Sequence, residues 1–234
     1  RKKLIQMRLD LEEMEQFPTN KIEGFRERIE AMFPTMIEHR CSEGCRGGFF
    51  SRVERGTWMG HVIEHIALEI QSLAGMETGF GRTRETKTPG IYNVVFSYTE
   101  ENVGMFAAES AVAIAEALIS GNEYDVEADI QKMREIRERV RLGPSTGSIV
   151  DEAVARDIPW IRLGTNSLVQ LGYGVNQMRF QATITCKTSN IAVDIACNKE
   201  ETKRMLDLAS IPVASGGICV DEEDLESVIK KIGY

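Results

Sequence analysis

Apolar residues recur every three or four positions in several segments of the chain, and this spacing predicts amphipathic helices. In the first such segment, residues 23–33, the apolar side chains of Phe25, Ile29 and Phe33 recur at intervals of four, and Pro34 ends the pattern. The same apolar spacing, or acids and bases paired at helical spacing, predicts further helices at residues 57–74, 102–118, 127–141, 148–156, 199–209 and 222–232.

Strands are predicted where β-branched and aromatic residues cluster, most clearly at residues 91–98 with the sequence IYNVVFSY. Two segments rich in glycine and polar residues, 39–48 and 79–88, are predicted to be loops. Shorter candidate strands lie at residues 160–163, 168–171, 179–185 and 218–220.

The order of these elements predicts an α+β fold in two domains. The sequence Leu-Gly-Pro-Ser at residues 142–145 interrupts the charged helix before it, so we place the domain boundary there. An α/β domain is therefore expected in residues 1–143 and a second domain in residues 144–234.

The composition narrows the classes of function. A chain of 234 residues with 42% hydrophobic and 27% charged residues is typical of globular proteins. Its formal net charge of −8 argues against a nucleic-acid partner. There is no run of about 18 apolar residues to span a membrane, and an odd number of cysteines, five, favours reduced thiols. A cytoplasmic protein without a membrane partner is expected.

The clearest chemical signal is the sequence His61-Val62-Ile63-Glu64-His65, which fits the H-x-x-E-H pattern of inverzincin metallopeptidases. Thr57 is expected to cap the helix that carries it, and Gly75 to end that helix. On one helix face, residues four apart can reach one metal ion, and Glu64 lies on the same side. We therefore expect His61 and His65 to bind zinc and Glu64 to act as general base.

A zinc ion with catalytic function needs a third protein ligand, and the sequence offers several. Glu69 lies one helical turn beyond His65, where it would crowd the ion, and His39 is the remaining histidine. Glu109, among small neighbours on the next amphipathic helix, is the ligand that we predict. The alternative is that both histidines satisfy carboxylates in a buried polar cluster without any metal.

Two other groups of residues are candidate sites. His39, Cys41 and Cys45 form an H-x-C-x-x-x-C pattern that would suit a structural zinc, although a shaped loop with buried thiols is favoured. Charged residues in the second predicted loop would suit a charged polymer, with a solvated loop as the alternative; they are Arg82, Arg84 and Glu85.

Long segments in one order resemble the cyanophycin synthetases over nearly the whole chain. The segments that carry the resemblance are RKKLIQMRLDLEE, CSEGCRGGF, GTWMGHVIEHIALE, GFGRTRETKTPGIYNVVF, LGPSTGSIV, QLGYGVNQMRFQAT and NKEETKRMLDLASIPV. Two positions depart from the usual family pattern: Asn198 stands where an acid is common, and Ala214 where proline is common.

The resemblance implies a ligase that uses ATP and magnesium to build the polymer cyanophycin from aspartate and arginine, working as a homo-oligomer. Residues 144–234 would be the first lobe of an ATP-grasp domain, with the ATP and magnesium sites beyond Tyr234. The chain is accordingly expected to be longer at both ends.

For the amino-terminal domain, the resemblance implies polymer binding and, in some members, cleavage of the polymer into primers at the H-x-x-E-H site. In members without that cleavage, a basic residue stands at the position of Glu109. The acidic residue in this chain therefore favours an active cleavage site. A domain that binds the polymer without cutting it is the alternative, and the sequence leaves open whether free amino acids or dipeptides are joined.

Overall fold

The structure, a computed structural model, describes residues 3–233, which contain two small antiparallel sheets and nine α-helices. This mixture confirms the α+β prediction. The chain divides into two units, one ending at Arg141 and the other beginning at Leu142. The helices and strands of the first unit are β1 Leu4–Asp10, α1 Phe25–Met32, α2 Gly48–Arg55, α3 Met59–Leu73, β2 Gly81–Glu85, β3 Ile91–Ser97, α4 Glu101–Ser120 and α5 Val126–Val140.

The sheet of the first unit has the order β1-β3-β2, with β3 in the centre and both neighbours antiparallel to it. Its register pairs Gln6 with Val95 on one side and Gly81 with Phe96 on the other. Strand β1 was not predicted, although its residues alternate between apolar and polar. Strand β2 lies in the segment that we predicted to be a loop, and that prediction is wrong: pairing with β3 overrides its polar composition.

Helix α3 is the centre of the first unit and packs against α4, β3 and β2. Most of its apolar side chains are buried, those of Ile66 and Ile70 completely. Helix α4 is long and apolar enough to span a membrane by length and composition, but half of that segment is buried inside the protein. Both helices contribute to one continuous hydrophobic core with the inner face of the sheet.

The start of α3 differs from the prediction. Trp58 is the N-cap and makes no side-chain capping bond. The Thr57 backbone N–H instead donates to the Thr19 hydroxyl, and the Thr57 hydroxyl lies 3.2 Å from His61 Nδ1. The Thr57 side chain therefore contacts His61 and does not cap the helix, so the predicted capping role is wrong.

The second unit contains a four-stranded antiparallel sheet in the order β4-β5-β6-β7, with a small core formed by Val150, Val169 and Phe180. The strand predicted at residues 218–220 is absent from this described segment, which has no regular structure. Its elements are α6 Pro144–Ala155, β4 Trp160–Arg162, β5 Leu168–Leu171, β6 Met178–Gln181, β7 Ile184–Thr185, α7 Asn190–Cys197, α8 Lys199–Leu208 and α9 Glu222–Ile232.

Candidate metal centre

Two histidines of α3 and one cysteine from a preceding loop converge in the first unit. His61 and His65 lie one turn apart, and the Cys41 sulfur is 3.1 Å from His61 Nε2. One donor atom from each of the three residues can be chosen so that all three atoms lie within 4.8 Å of one another. Thiolate sulfur and imidazole nitrogen are ligands that zinc prefers, and three protein ligands leave a fourth position open.

The loop that supplies Cys41 has an irregular backbone. Cys41 itself has a φ of 51°, in the left-handed region that residues with a Cβ rarely adopt. A side chain at Gly48 is excluded, since its Cβ would lie 2.2 Å from the Arg40 carbonyl oxygen. Such strain costs on the order of 1 kcal/mol or more and is often found where a functional group must be positioned.

The environment of the histidines keeps their rings neutral. Burial, with a smaller contribution from the Arg52 guanidinium, lowers the pKa of His61 to about 4. Burial also lowers the pKa of His65 well below its ordinary value, and His61, His39 and Arg52 act in the same direction. Phe49 contributes to this burial, because its ring centroid lies 4.6 Å from that of His65. Neutral imidazole is the form that binds a metal ion.

Glu64 lies beside the cluster in the same cavity. The Thr83 hydroxyl donates to its Oε2 over 2.6 Å, which links α3 to the edge strand β2. Burial raises the pKa of Glu64 to about 7, although the Thr83 hydrogen bond and the charge of Arg82 act against the rise. A carboxyl group with a pKa near neutrality can both accept and return a proton at ordinary pH.

The backbone of β2 approaches Glu64 closely at Gly81. A Cβ on Gly81 would lie 2.2 Å from Glu64 Oε1 and 2.7 Å from its Cγ. We expect Gly81→Ala to displace the Glu64 side chain and to lower the free energy of unfolding by about 1–3 kcal/mol, the usual cost of overpacking. Chemical denaturation measures this loss.

Gly79→Ala is the matched control for Gly81→Ala, because nothing lies within 4 Å of a Cβ at that position. Its stability should equal that of the parent protein or exceed it slightly. Equal stability of the two alanine variants would contradict the close approach at Gly81.

A cavity of about 650 Å³ opens over the cluster. Its lining includes the side chains of Arg40, Arg52 and Arg82. Within the described residues none of these arginines forms an ion pair; Arg52 donates instead to the Ser42 hydroxyl over 2.8 Å. The cavity lining therefore contains three arginines and two glutamates, Glu38 and Glu64, of which Glu38 pairs with Arg46. Arginines outnumber acids there, although the chain as a whole is acidic.

Comparison with known proteins places the chain in a family. Residues 6–120 match the family model described as the cyanophycin synthase-like N-terminal domain. The cyanophycin synthetases of Synechocystis sp. and Geminocystis herdmanii are each 49% identical to the chain over 236 residues, and that of Trichormus variabilis is 48% identical. Each of these alignments covers 100% of the chain. The chain belongs to the cyanophycin synthetase family.

The chain matches only part of the length of these cyanophycin synthetases. The chain spans 27% of the length of the first two relatives and 26% of the third. The segment that matches the family model contains the whole candidate metal centre, from the loop of Cys41 to Thr83 on β2.

The structure brings together two of the three predicted metal ligands and places the third elsewhere. His61 and His65 converge, but Glu109 is exposed on α4 and lines a separate depression with Gln6 and Met7. No described residue of α4 lines the cavity of the histidines. The structure therefore brings Cys41, and not Glu109, beside the two histidines as a third potential ligand. The sequence pattern had grouped Cys41 with His39 and Cys45 instead.

The other candidate residues also differ in whether they lie at the metal centre. Cys45 is exposed, and neither His39 nor Glu69 belongs to the group of potential ligands. Of the three residues proposed to bind polymer, Arg82 lines the cavity, whereas Arg84 and Glu85 are exposed and do not line it. Cys41 was missed because it precedes His61 by 20 residues and no local spacing links the two.

Proposed function

We propose that the first unit is a zinc-dependent hydrolase that cuts amide bonds of the polymer cyanophycin, with Cys41, His61 and His65 as zinc ligands. The observation that carries this proposal is the position of Glu64 in the same cavity as the three ligands. A structural zinc site would be closed by four protein ligands. Here three potential ligands adjoin an open cavity and a carboxyl group suited to proton transfer.

Bound zinc would supply Lewis acidity toward the amide carbonyl and water. Glu64 accepts a proton from the attacking water as the oxygen forms its bond to the carbonyl carbon. When the carbon–nitrogen bond breaks, Glu64 returns that proton to the leaving amine. The Thr83 hydroxyl holds the carboxyl group in place by its hydrogen bond to Oε2. The products are one carboxylic acid and one amine, so the water is fully consumed.

The three arginines of the cavity lining support a substrate that carries carboxylates. An arginine joined through its amine to an aspartate side chain keeps its own carboxylate, so such a polymer presents many of them. We propose that Arg52 and Arg82, with Arg40, bind these groups beside the zinc. Guanidinium groups suit this role because they donate two parallel hydrogen bonds to one carboxylate.

Arg52→Gln is expected to weaken the binding of polymer fragments about 10-fold, because it removes a charge-assisted hydrogen bond. Calorimetric titration in a Glu64→Gln background measures binding without cleavage. Arg55→Gln is the control, since Arg55 lies on the same helix but pairs with Glu43 outside the cavity lining. Equal affinities for Arg52→Gln and Arg55→Gln would exclude Arg52 from substrate binding.

For the whole protein we propose a ligase that uses ATP and magnesium to add aspartate and arginine to cyanophycin; its relatives are named cyanophycin synthetases. Residues 144–234 would then be the first lobe of an ATP-grasp domain. A protein extended to the length of these relatives should incorporate both amino acids when given primer and ATP. A folded full-length protein without such incorporation would refute the proposal.

A domain that binds the polymer without cutting it is the alternative function, favoured by the three arginines that line the cavity. The two functions separate in one experiment on this chain. Zinc analysis and a cleavage assay should show about one zinc per chain and shortened polymer if the hydrolase proposal is right. Polymer binding without zinc or shortening would favour the alternative.

A further inference from the structure

Three side chains, of which Glu69 is buried and His39 half-buried, form a chain of hydrogen bonds that ends on His65. His39 Nδ1 lies 2.8 Å from His65 Nδ1, and His39 Nε2 lies 2.7 Å from Glu69 Oε2. The Thr35 hydroxyl donates to the other carboxylate oxygen of Glu69. None of the steps proposed for hydrolysis uses Thr35, His39 or Glu69.

The direction of these hydrogen bonds follows from Glu69. An ionised carboxylate only accepts, so Thr35 and His39 Nε2–H must be the donors. In a neutral His39, Nδ1 is then the acceptor, and the hydrogen between the two rings belongs to His65 Nδ1. That leaves His65 Nε2 with its lone pair free, and a metal ligand needs such a nitrogen.

The position of Glu69 fits this role better than direct metal binding. Glu69 is only 4% exposed, so an ionised carboxylate at this position requires hydrogen-bond donors to stabilise its charge. Both of its oxygens are already engaged, one by Thr35 and one by His39. Burial raises the pKa of Glu69, but the hydrogen bonds from His39 and Thr35 outweigh burial, so its pKa lies below the ordinary value.

We propose that Glu69 and His39 are positioning residues that fix His65 as the Nδ1–H tautomer and present its Nε2 to the metal ion. This inference rests on the proposed zinc centre and deepens it. Histidine ligands of metal ions usually donate their second ring N–H to a carboxylate or carbonyl, and removing such partners weakens metal binding about 10–100-fold. Here Glu69 does not contact His65 directly; His39 lies between them and hydrogen-bonds to both.

The first test is the equilibrium affinity for zinc, measured by competition with a chromophoric chelator. Glu69→Gln preserves shape and is expected to bind zinc about 10–100-fold more weakly, as is His39→Leu. Glu109→Gln, on the exposed face of α4, is the control and should retain the parental affinity. Parental affinity in both Glu69→Gln and His39→Leu would overturn the proposal.

The second test observes the tautomer directly and does not need zinc or activity. In the metal-free protein, nitrogen-15 NMR of the imidazoles should place the His65 proton on Nδ1, and Glu69→Gln should shift it partly or wholly to Nε2. A purely structural role for Glu69 would leave the tautomer unchanged. A parental proton on Nε2 would overturn the inference and leave the metal centre standing. A parent that binds no zinc would overturn the metal centre and with it the positioning role, and only the tautomer assignment would remain.

Discussion

The Glu64→Gln protein is expected to retain its zinc and to cleave the polymer about 10²–10⁴-fold more slowly, the usual contribution of a positioned general base. Glutamine preserves the shape of the side chain and can still accept the hydrogen bond from Thr83. It cannot take a proton from water. Initial rates of polymer shortening, with zinc content determined on the same samples, measure both quantities.

Glu116→Gln is a suitable control for Glu64→Gln, because Glu116 is an exposed acid on α4 that does not line the cavity. Its rate should equal that of the parent. Parental cleavage by Glu64→Gln would remove Glu64 from the mechanism, and loss of zinc in that variant would mean that Glu64 is a ligand.

Cys41→Ala is expected to lower zinc affinity by more than about 100-fold, beyond the range found for residues that only support a ligand. The reason is that two histidines on one helix offer only two of the three protein ligands typical of an open zinc site. Zinc per chain after dialysis against a weak chelator measures the loss.

Two controls make the Cys41→Ala experiment specific. Cys45→Ala removes an exposed thiol four residues away, and Glu109→Ala removes the ligand that the sequence had favoured. Both should retain parental zinc. Loss of zinc in Glu109→Ala together with retention in Cys41→Ala would restore the ligand set predicted from the sequence.

The histidine helix could be predicted from the sequence because its signal is local. The spacing of His61, Glu64 and His65 determines on which side of a helix they lie, and apolar residues occupy the opposite side. The third ligand could not be predicted in this way. Cys41 reaches the helix through a loop with left-handed backbone, and that geometry depends on contacts distant in sequence.

Similar limits explain the errors in the sheet. The polar residues of β2 form a strand because β3 pairs with them, and this pairing places Gly81 against Glu64. Composition alone favoured a loop there. The α+β class was predictable from the alternation of helical and strand-like segments, which needs no knowledge of the partners in each sheet.

All groups of the metal centre, from Thr35 to Thr83, come from one short part of the chain inside the first unit. Domains generally fold in the order in which the ribosome releases them. With the proposed zinc site, the nascent chain would bind its ion once residues up to Arg141 have emerged from the ribosome. The proposed polymer cleavage would then not depend on the residues that follow the first unit.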